Sequence, residues 1–403
     1  MKLIVVVASL LLPAQERETS DAVAFKFGRI IPVSGPDISP GVILVERGKI
    51  KKVGRDVAVP DGVKIVDLSA YAAMPGMVDA ATGIGITGNP NEESSEITPR
   101  FRVFDSIDPR DNRFQHSIQV GVTTLLVEPG ERNVIGGLGS VVKPVGRSGR
   151  EMLVREDAVL KAVMGRRPAW GNQSPRRSQA SFFSRRPTTR MGVVWEFRKA
   201  FLDARRYREE KPATSDEDKE ILLKAMDRKL PVRVFASRSF DIETALRLAD
   251  EFGLTLQLEE AEEAHRYVGE LAERKVAVVL RPWFRTSDLY LPEGGEIRFD
   301  TFARLAAAGV PVALLHGDLD VRESMLAMAA MAVKYGAKRE DALRAVTINP
   351  AGILGVGERV GTLEEGKDAD FVVLTGDPLD VKSRIEWVFV DGRRVYGKKI
   401  GDY

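Results

Sequence analysis

The residues best suited to acid/base chemistry follow an apolar run late in the chain. His316 and Asp318 stand two positions apart in the stretch VALLHGD, at the end of the run at 312–315. Side chains two positions apart in an extended strand face the same side, so we expect both groups at one strand end. Such a pair could exchange protons with a substrate or supply two ligands to a metal ion. The alternative is that His316 is a structural residue with satisfied hydrogen bonds.

Few other side chains of this sequence offer a nitrogen or sulfur ligand to a metal ion. The chain has three histidines and no cysteine, and His116 and His265 lie in segments with helical patterns. Glu128, Asp105 and Glu259 could offer oxygen ligands to a hard cation, but their spacing matches no recognised calcium loop. We therefore expect no bound metal. Zinc or another divalent ion is expected only if the chain has rebuilt a metal site from other ligands.

The middle of the chain alternates strand-like and helix-like segments. Strand patterns occur at 76–80, 123–128, 140–143, 232–236, 254–259, 276–280 and 312–316. Helical patterns lie between some of them, for example at 240–252 and 322–334. This alternation favours parallel β/α units that close into an eight-stranded barrel. The eighth strand has two candidates, residues 151–156 and 191–197, and both could equally begin helices.

The two ends of the chain have a different pattern. Short apolar runs separated by Gly, Pro and Asp predict that residues 22–72 and 358–400 pair into one composite β domain. The barrel is then predicted at 73–357. Within it, residues 166–190 are rich in Arg, Ser and Pro, which predicts a surface insertion. A solvated loop is favoured there over a site for an acidic partner.

Three stretches carry a resemblance to a known family. They are MPGMVDAATG at 74–83, GVTTLLVEPG at 121–130 with NVIGGLGSVVK at 133–143, and the long run from 342 to 379. Together they resemble the amidohydrolase superfamily, in particular its exported imidazolonepropionase-like branch. The resemblance implies an α/β fold with a (β/α)8 TIM-type barrel and a composite β domain. It also implies metal-dependent hydrolysis of C–N bonds in cyclic amides and related non-peptide compounds.

The chain departs from the family pattern at the implied metal ligands. The two positions of the expected His-x-His pair hold Ala81 and Gly83, and Phe235 stands where a later strand often has histidine. Lys143 follows a strand and is a weak candidate for the lysine that family members carboxylate to bridge two ions; Glu259 is an equally weak ligand candidate. Asp318 matches the family's proton-transferring aspartate after the last barrel strand. Its retention can also be structural.

These departures predict a catalytically degenerate member of the superfamily. One alternative is an active C–N bond hydrolase with a reduced site around His316 and Asp318. Another is a non-catalytic protein that binds a ligand or serves as the partner subunit of an intact relative.

Composition narrows the class of partner. The 403 residues include 60 basic and 58 acidic side chains, a net charge of +2 that gives no reason to expect nucleic acid. A small molecule in the barrel mouth is the expected ligand, and homo- or hetero-oligomers remain open.

The first residues resemble a secretory signal. Lys2 precedes an apolar run at 3–12, and a small residue, Ala14, follows it. We therefore expect a signal peptide at 1–15 and export to the periplasm or the extracellular space. The alternative is a buried N-terminal strand. The run is too short to remain as a membrane span, and no integral membrane segment is expected in the mature chain.

Overall fold

The computed structural model describes residues 22–92, 94–169, 186–281, 296, 298–315 and 324–400. Several predictions fall on other residues. The signal peptide at 1–15, the pair His316 and Asp318, and residues 170–185 of the basic insertion all lie outside the described residues. Within the described ranges, no helix has both the length and the apolar character that crossing a bilayer requires.

Strands from both ends of the chain form one sheet of seven strands, the terminal sheet. They are β1 (Ala22–Ile30), β2 (Gly41–Glu46), β3 (Lys49–Gly54), β4 (Lys64–Pro75), β13 (Phe371–Leu374), β14 (Ile385–Val390) and β15 (Arg393–Tyr396). Their spatial order is β15-β14-β13-β4-β1-β2-β3. The two ends meet where β13 pairs antiparallel with β4, Phe371 opposite Pro75. The ring of Phe371 stacks on Phe389 with centroids 4.5 Å apart. The predicted composite β structure is confirmed.

The second sheet has eight strands and forms the nearly closed barrel, here called the barrel sheet. Its strands are β5 (Met77–Thr82), β6 (Val122–Val127), β7 (Ile135–Val142), β8 (Leu153–Val163), β9 (Val232–Phe235), β10 (Leu256–Glu260), β11 (Ala277–Leu280) and β12 (Val312–Leu314). They follow one another in space in the same order as in the chain. The predicted mixed α/β fold with a TIM-type barrel is thereby confirmed.

Helices connect strands of the barrel sheet or follow the last of them. They are α1 (Asn112–Gln119), α2 (Gly149–Met152), α3 (Arg190–Glu210), α4 (Glu217–Met226), α5 (Ser239–Phe252), α6 (Val268–Glu273), α7 (Thr301–Ala307), α8 (Met325–Lys334), α9 (Arg339–Arg344) and α10 (Ile348–Ile353). Of the two candidates for the eighth strand, residues 151–156 overlap β8, whereas 191–197 lie in α3. The helix predicted at 240–252 is α5, and Gly253 ends it with a φ of 70°.

One expectation about the barrel sheet was wrong. The predicted strand at 140–143 overlaps β7, but β7 runs antiparallel to both of its neighbours, β6 and β8. The connections before and after β7 contain no helix longer than the four residues of α2. A parallel crossover needs about a dozen residues or more, usually with a full helix, so these connections make hairpin-like turns instead. The direction of β7 decides where Lys143 lies.

The seam of the barrel lies between β5 and β12, the first and last strands of the order. Residues 345 and 346 bridge it. The Val78 N–H donates to the Val346 carbonyl at 3.0 Å, and the Leu314 N–H donates to the Ala345 carbonyl at 2.9 Å. Backbone groups at both edges thus find partners, as buried peptide groups require.

The Pro75-Gly76 step carries the chain from the terminal sheet into the barrel sheet. The Gly76 N–H donates to the Asp370 carbonyl at 3.0 Å. A Cβ atom at this position would lie 2.1 Å from Thr123 Oγ1 and 2.4 Å from its Cγ2, so only glycine fits. This part of the 74–83 motif therefore has a structural cause that is independent of any metal.

Candidate functional site

The candidate site lies inside the barrel and is formed by residues of β8, β9 and β10 together with Glu128, which follows β6. Strand register places Lys161, Arg233 and Gln257 side by side, and Phe235 beside Glu259 two residues further along. These side chains face the barrel interior because side chains alternate across a strand. The intervening residues face the helices and belong to the main core: Leu160, Ala162, Val232, Val234, Leu256 and Leu258. Charged groups thus enter the barrel from strands that are otherwise apolar.

Lys161 is the central residue of this interior. Its ammonium group donates to Glu128 Oε1 from the end of β6 and to Glu259 Oε2 from β10. The side chain of Lys161 is 1% exposed and those of both glutamates are 5% exposed. A buried charge of this kind is tolerated only when it is paired and hydrogen-bonded. One ammonium group therefore joins β8 to β10 and to the end of β6, none of which are adjacent in the barrel sheet.

The charges of this group influence one another. Burial alone would lower the pKa of Lys161, but the charges of Glu128 and Glu259 outweigh it and raise that pKa. Burial, followed by the charge of Glu259, raises the pKa of Glu128 well above its usual value. Burial also acts to raise the pKa of Glu259, but Lys161 and the other neighbours outweigh it and lower that pKa. Burial and mutual repulsion therefore oppose a second negative charge on the carboxyl pair, and the pair in turn favours the charged form of Lys161.

Arg233 supplies a second cation to the barrel interior. It is fully buried, and its Nε and Nη2 donate to Gln257 Oε1 at 3.0 and 2.7 Å. Its Nη1 donates across the barrel to the Ala80 carbonyl of β5 at 2.5 Å. The same Nη1 lies 3.8 Å from Glu128 Oε2. The small side chains on β5 leave the space through which this guanidinium reaches the strand backbone.

A second layer of charges lies beyond the strand ends. Glu260 pairs with Arg281, and Glu131 pairs with Arg167. The backbone of Glu260 and Ala261 has φ values of 66° and 36°. Such values are strained for residues other than glycine and are often found at functional sites. Burial raises the pKa of Glu260 to about 8, although the charge of Arg281 opposes the rise.

This barrel can be compared with known proteins. An amidohydrolase from Thermotoga maritima has a crystal structure that is 34% identical in sequence, with a TM-score of 0.84, covering 93% of this chain and 100% of that one. The chain belongs to the amidohydrolase superfamily. A model described as "Amidohydrolase family" also matches residues 266–396.

Two curated relatives match this chain over very different lengths. Amidohydrolase tasK of Hapsidospora irregularis is 28% identical over 398 residues, which cover 87% of this chain. The match spans only 39% of the length of tasK. An imidazolonepropionase of Thermoplasma volcanium is 45% identical over 73 residues, 17% of this chain and 18% of that enzyme. The imidazolonepropionase-like resemblance is thus supported by partial matches.

Members of the superfamily are typically metal-dependent, so the donor groups of this chain decide whether a metal fits. Ala81 is buried against apolar residues of β11 and β12, and Gly83 has no side chain. Phe235 has its ring 4.5 Å from the Arg167 guanidinium, a cation–π contact. Within the described ranges, no three His, Asp or Glu side chains converge as a metal site would need. The described donor set therefore does not fit a histidine-rich centre.

The structure separates the two weak ligand candidates. Glu259 lies in the barrel interior with Lys161, whereas Lys143 lies near the amino end of β5, because β7 runs in the opposite direction. There its ammonium group pairs with Asp368, Asp370 and Asp391 at 2.9, 2.9 and 2.6 Å. These aspartates belong to or flank the terminal sheet. Lys143 and Glu259 are not brought together.

The remaining histidines lie apart from the Lys161 group. His116 is in α1, and His265 is in a short turn of 3-10 helix at Ala264–Arg266. His265 Nε2 is 3.5 Å from a carboxylate oxygen of Glu296. Both histidines occupy the kind of helical position that the sequence predicted.

Sequence reasoning missed Lys161 and Arg233. Each is a single charged residue within a short apolar strand, in AVLKAV and in PVRVF. A charge at such a position is rarely buried unless it has partners. That local contrast was the signal that could have identified them.

Proposed function

We propose that this protein is a degenerate amidohydrolase that has lost metal-dependent hydrolysis of C–N bonds and binds a small molecule at the carboxyl end of its barrel. The observation that carries the proposal is the chemistry of three positions: Ala81, Gly83 and Phe235 offer no side-chain lone pair to a metal ion. Neutral methyl and phenyl groups cannot replace imidazole ligands. The contact of Phe235 with Arg167 gives that ring a different role.

The ligand is proposed to bind at the barrel mouth. In barrels of this type, ligands bind at the carboxyl ends of the strands. Here that end presents two pairs of an acidic and a basic side chain, Glu260 with Arg281 and Glu131 with Arg167. The side chains of Arg281, Glu131 and Arg167 keep 17%, 23% and 25% of their surface exposed. Acidic and basic side chains together at a mouth favour a polar small molecule that carries both hydrogen-bond donors and acceptors.

The test combines metal analysis, activity and ligand binding on the purified full chain. We expect no stoichiometric zinc and no turnover of a panel of cyclic amides, imides and dipeptides, with or without added zinc. We also expect that some polar small molecules raise the melting temperature. Arg167→Gln at the mouth should reduce that rise, and Lys143→Met, which removes a cation at the other end of the barrel, is the matched control that should not. Stoichiometric zinc together with turnover would refute the proposal.

A second candidate is an active hydrolase of C–N bonds with a reduced site around His316 and Asp318. The names of the Thermotoga protein and of tasK, both amidohydrolases, favour it. In this case Asp318 would accept the proton of an attacking water and pass it to the leaving nitrogen, with His316 beside it. Any activity found in the panel should then fall on His316→Ala and on Asp318→Asn. Activity that is unchanged in both variants would exclude this site.

A further inference from the structure

We propose that the ammonium group of Lys161 is the built-in cation of this barrel and holds Glu128 and Glu259 together in the role that a divalent ion would have. This goes beyond the proposed function, because it concerns what organises the inner site rather than which ligand enters the mouth. It rests on the contacts of the described residues alone.

Two carboxylate oxygens from separate parts of the barrel converge on one nitrogen atom. Lys161 Nζ contacts a carboxylate oxygen from the end of β6 and another from β10, while Lys161 itself stands on β8. The two partners are 33 and 98 residues away along the chain. A bridging metal ion performs the same task, since it draws oxygen ligands from separate strands to one point. Lys161 therefore occupies the geometric centre that a cation requires.

The charges around Glu128 and Glu259 are unfavourable for a metal ion. Arg233 Nη1 lies 3.8 Å from Glu128 Oε2, so the two carboxyl groups already face two positive side chains. All of these side chains have exposures of 5% or less, and water screens them weakly. A divalent ion would add two more positive charges beside Lys161 and Arg233. The intact network consequently opposes metal uptake.

One oxygen atom of the cluster accepts no hydrogen bond from a nitrogen donor or a hydroxyl group. Glu128 Oε2 is buried and has no such donor among the described residues, although the carboxyl groups of Glu128 and Glu259 can share a proton. A buried polar atom of this kind is uncommon and needs a cause. It is the atom that would become a ligand if Lys161 were absent, since Glu128 Oε1 and Glu259 Oε2 would then also be released. Removal of the ammonium group should thus expose a latent site for a hard cation.

The experiment uses Mn²⁺, which prefers oxygen ligands, as the probe. Wild type, Lys161→Arg, Lys161→Ala and the double variant Lys161→Ala with Glu259→Gln are titrated with Mn²⁺. The loss of the free-ion electron paramagnetic resonance signal measures binding, and the melting temperature is recorded with and without the ion. Lys161→Arg is the matched control because it keeps the positive charge.

We expect wild type and Lys161→Arg to bind no stoichiometric Mn²⁺, and the melting temperature of each should not change when Mn²⁺ is added. Lys161→Ala should melt several degrees lower, bind one Mn²⁺ and regain part of the loss. The double variant should bind at least tenfold more weakly. A folded Lys161→Ala protein that binds no Mn²⁺ overturns the proposal.

The wild-type measurement decides the matter even if Lys161→Ala does not fold. Stoichiometric Mn²⁺ or Zn²⁺ in wild type that is lost on Glu259→Gln overturns the proposal. So does a carbamate signal at Lys161 after growth with ¹³C-bicarbonate, because a carboxylated lysine is not a cation. No metal and no carbamate in wild type support it. Metal-free hydrolysis of an amide would refute the proposed function and leave the role of Lys161 intact.

Discussion

Lys161 and Lys143 are the two buried lysines of the described residues, and they lie near opposite ends of the barrel sheet. Both have carboxylate partners drawn from distant parts of the chain. The partners of Lys161 come from barrel strands, whereas those of Lys143 belong to or flank the terminal sheet. One lysine organises the interior of a barrel, and the other joins two sheets.

The two clusters differ in their contact with solvent. The carboxylates that pair with Lys161 are 5% exposed, whereas Asp391 beside Lys143 is 50% exposed. Asp368 of the Lys143 cluster also pairs with Lys49 and Arg359. When one cation is lost, the Lys143 cluster therefore has water and two further cations to compensate. Among the residues that the structure describes, Arg233 is the one further cation within 4 Å of a carboxyl group of the Lys161 cluster.

The comparison teaches that burial of a lysine does not by itself identify a functional site. Position along the strands separates the two cases, because ligand sites of such barrels lie at the carboxyl ends while the amino ends serve stability. Lys161 stands on the ligand-binding side and Lys143 on the stabilising side. The predictions below test this division.

The largest effect is expected for Lys161→Met. Loss of the ammonium group leaves two buried carboxyl groups without their shared partner, which should cost about 3–5 kcal/mol of unfolding free energy. Urea denaturation at neutral pH measures it. Lys161→Arg keeps the charge and should cost less, and adding Glu128→Gln and Glu259→Gln to Lys161→Met should recover part of the loss. A cost below about 1 kcal/mol, typical of an exposed ion pair, would contradict this account of the cluster.

The second effect is a pH dependence at the Lys143 cluster. Burial raises the pKa of Asp370 from 3.8 to about 6, although Lys143 opposes the rise. Between these values the native state holds a proton that the unfolded state has released, so the contribution of Asp370 to stability falls as pH rises through this window. The loss is at most about 3 kcal/mol, at about 1.4 kcal/mol for each pKa unit.

The measurement is the unfolding free energy of wild type minus that of Asp370→Asn, followed from pH 4 to 6. This difference should decrease with increasing pH. Asp368→Asn is the control, because Lys143 and its other partners lower the pKa of Asp368 in spite of burial. Its stabilising contribution is present above the unfolded value of 3.8 and is lost only as pH falls below it. If this difference increased with pH for Asp370→Asn, folding would lower the pKa of Asp370 rather than raise it, and the prediction would be wrong.

The third effect is that of Lys143→Met. We expect a cost of about 2 kcal/mol, the value of charged hydrogen bonds, because Lys49, Arg359 and water remain to serve the aspartates. The same urea denaturation applies. Lys143→Met should lower the unfolding free energy by less than Lys161→Met does. The opposite order would mean that the two clusters do not differ as described.

Much of the fold could be predicted because its signals are local. The alternation of apolar runs and helical patterns gave the barrel, and Gly253, with a φ of 70°, ends α5 where the pattern stopped. The direction of β7 could not be predicted, since an apolar strand looks the same in either direction. That one reversal also moved Lys143 away from the barrel mouth.

The candidate site was predictable only in part, for a related reason. Ala81, Gly83 and Phe235 could be identified because motifs fixed their places. The group around Lys161 could not, because its partners Glu128 and Glu259 are 33 and 98 residues away and meet only through strand register. The sequence shows that Lys161 is a single charged residue in an apolar strand, but it does not show which residues pair with it.

The smallest effect concerns Phe235, which stands in a position where a histidine was expected. Its ring lies 4.5 Å from the Arg167 guanidinium, which also pairs with Glu131. A cation–π contact that is partly shielded from water contributes about 1 kcal/mol. A double-mutant cycle of Phe235→Leu and Arg167→Gln isolates this coupling from the general cost of changing a buried ring. We expect urea denaturation to give a stabilising coupling energy of about 1 kcal/mol between the two side chains. No coupling would mean that Phe235 only fills space, and the mouth would then lose one of the contacts that distinguish it from the Lys143 end.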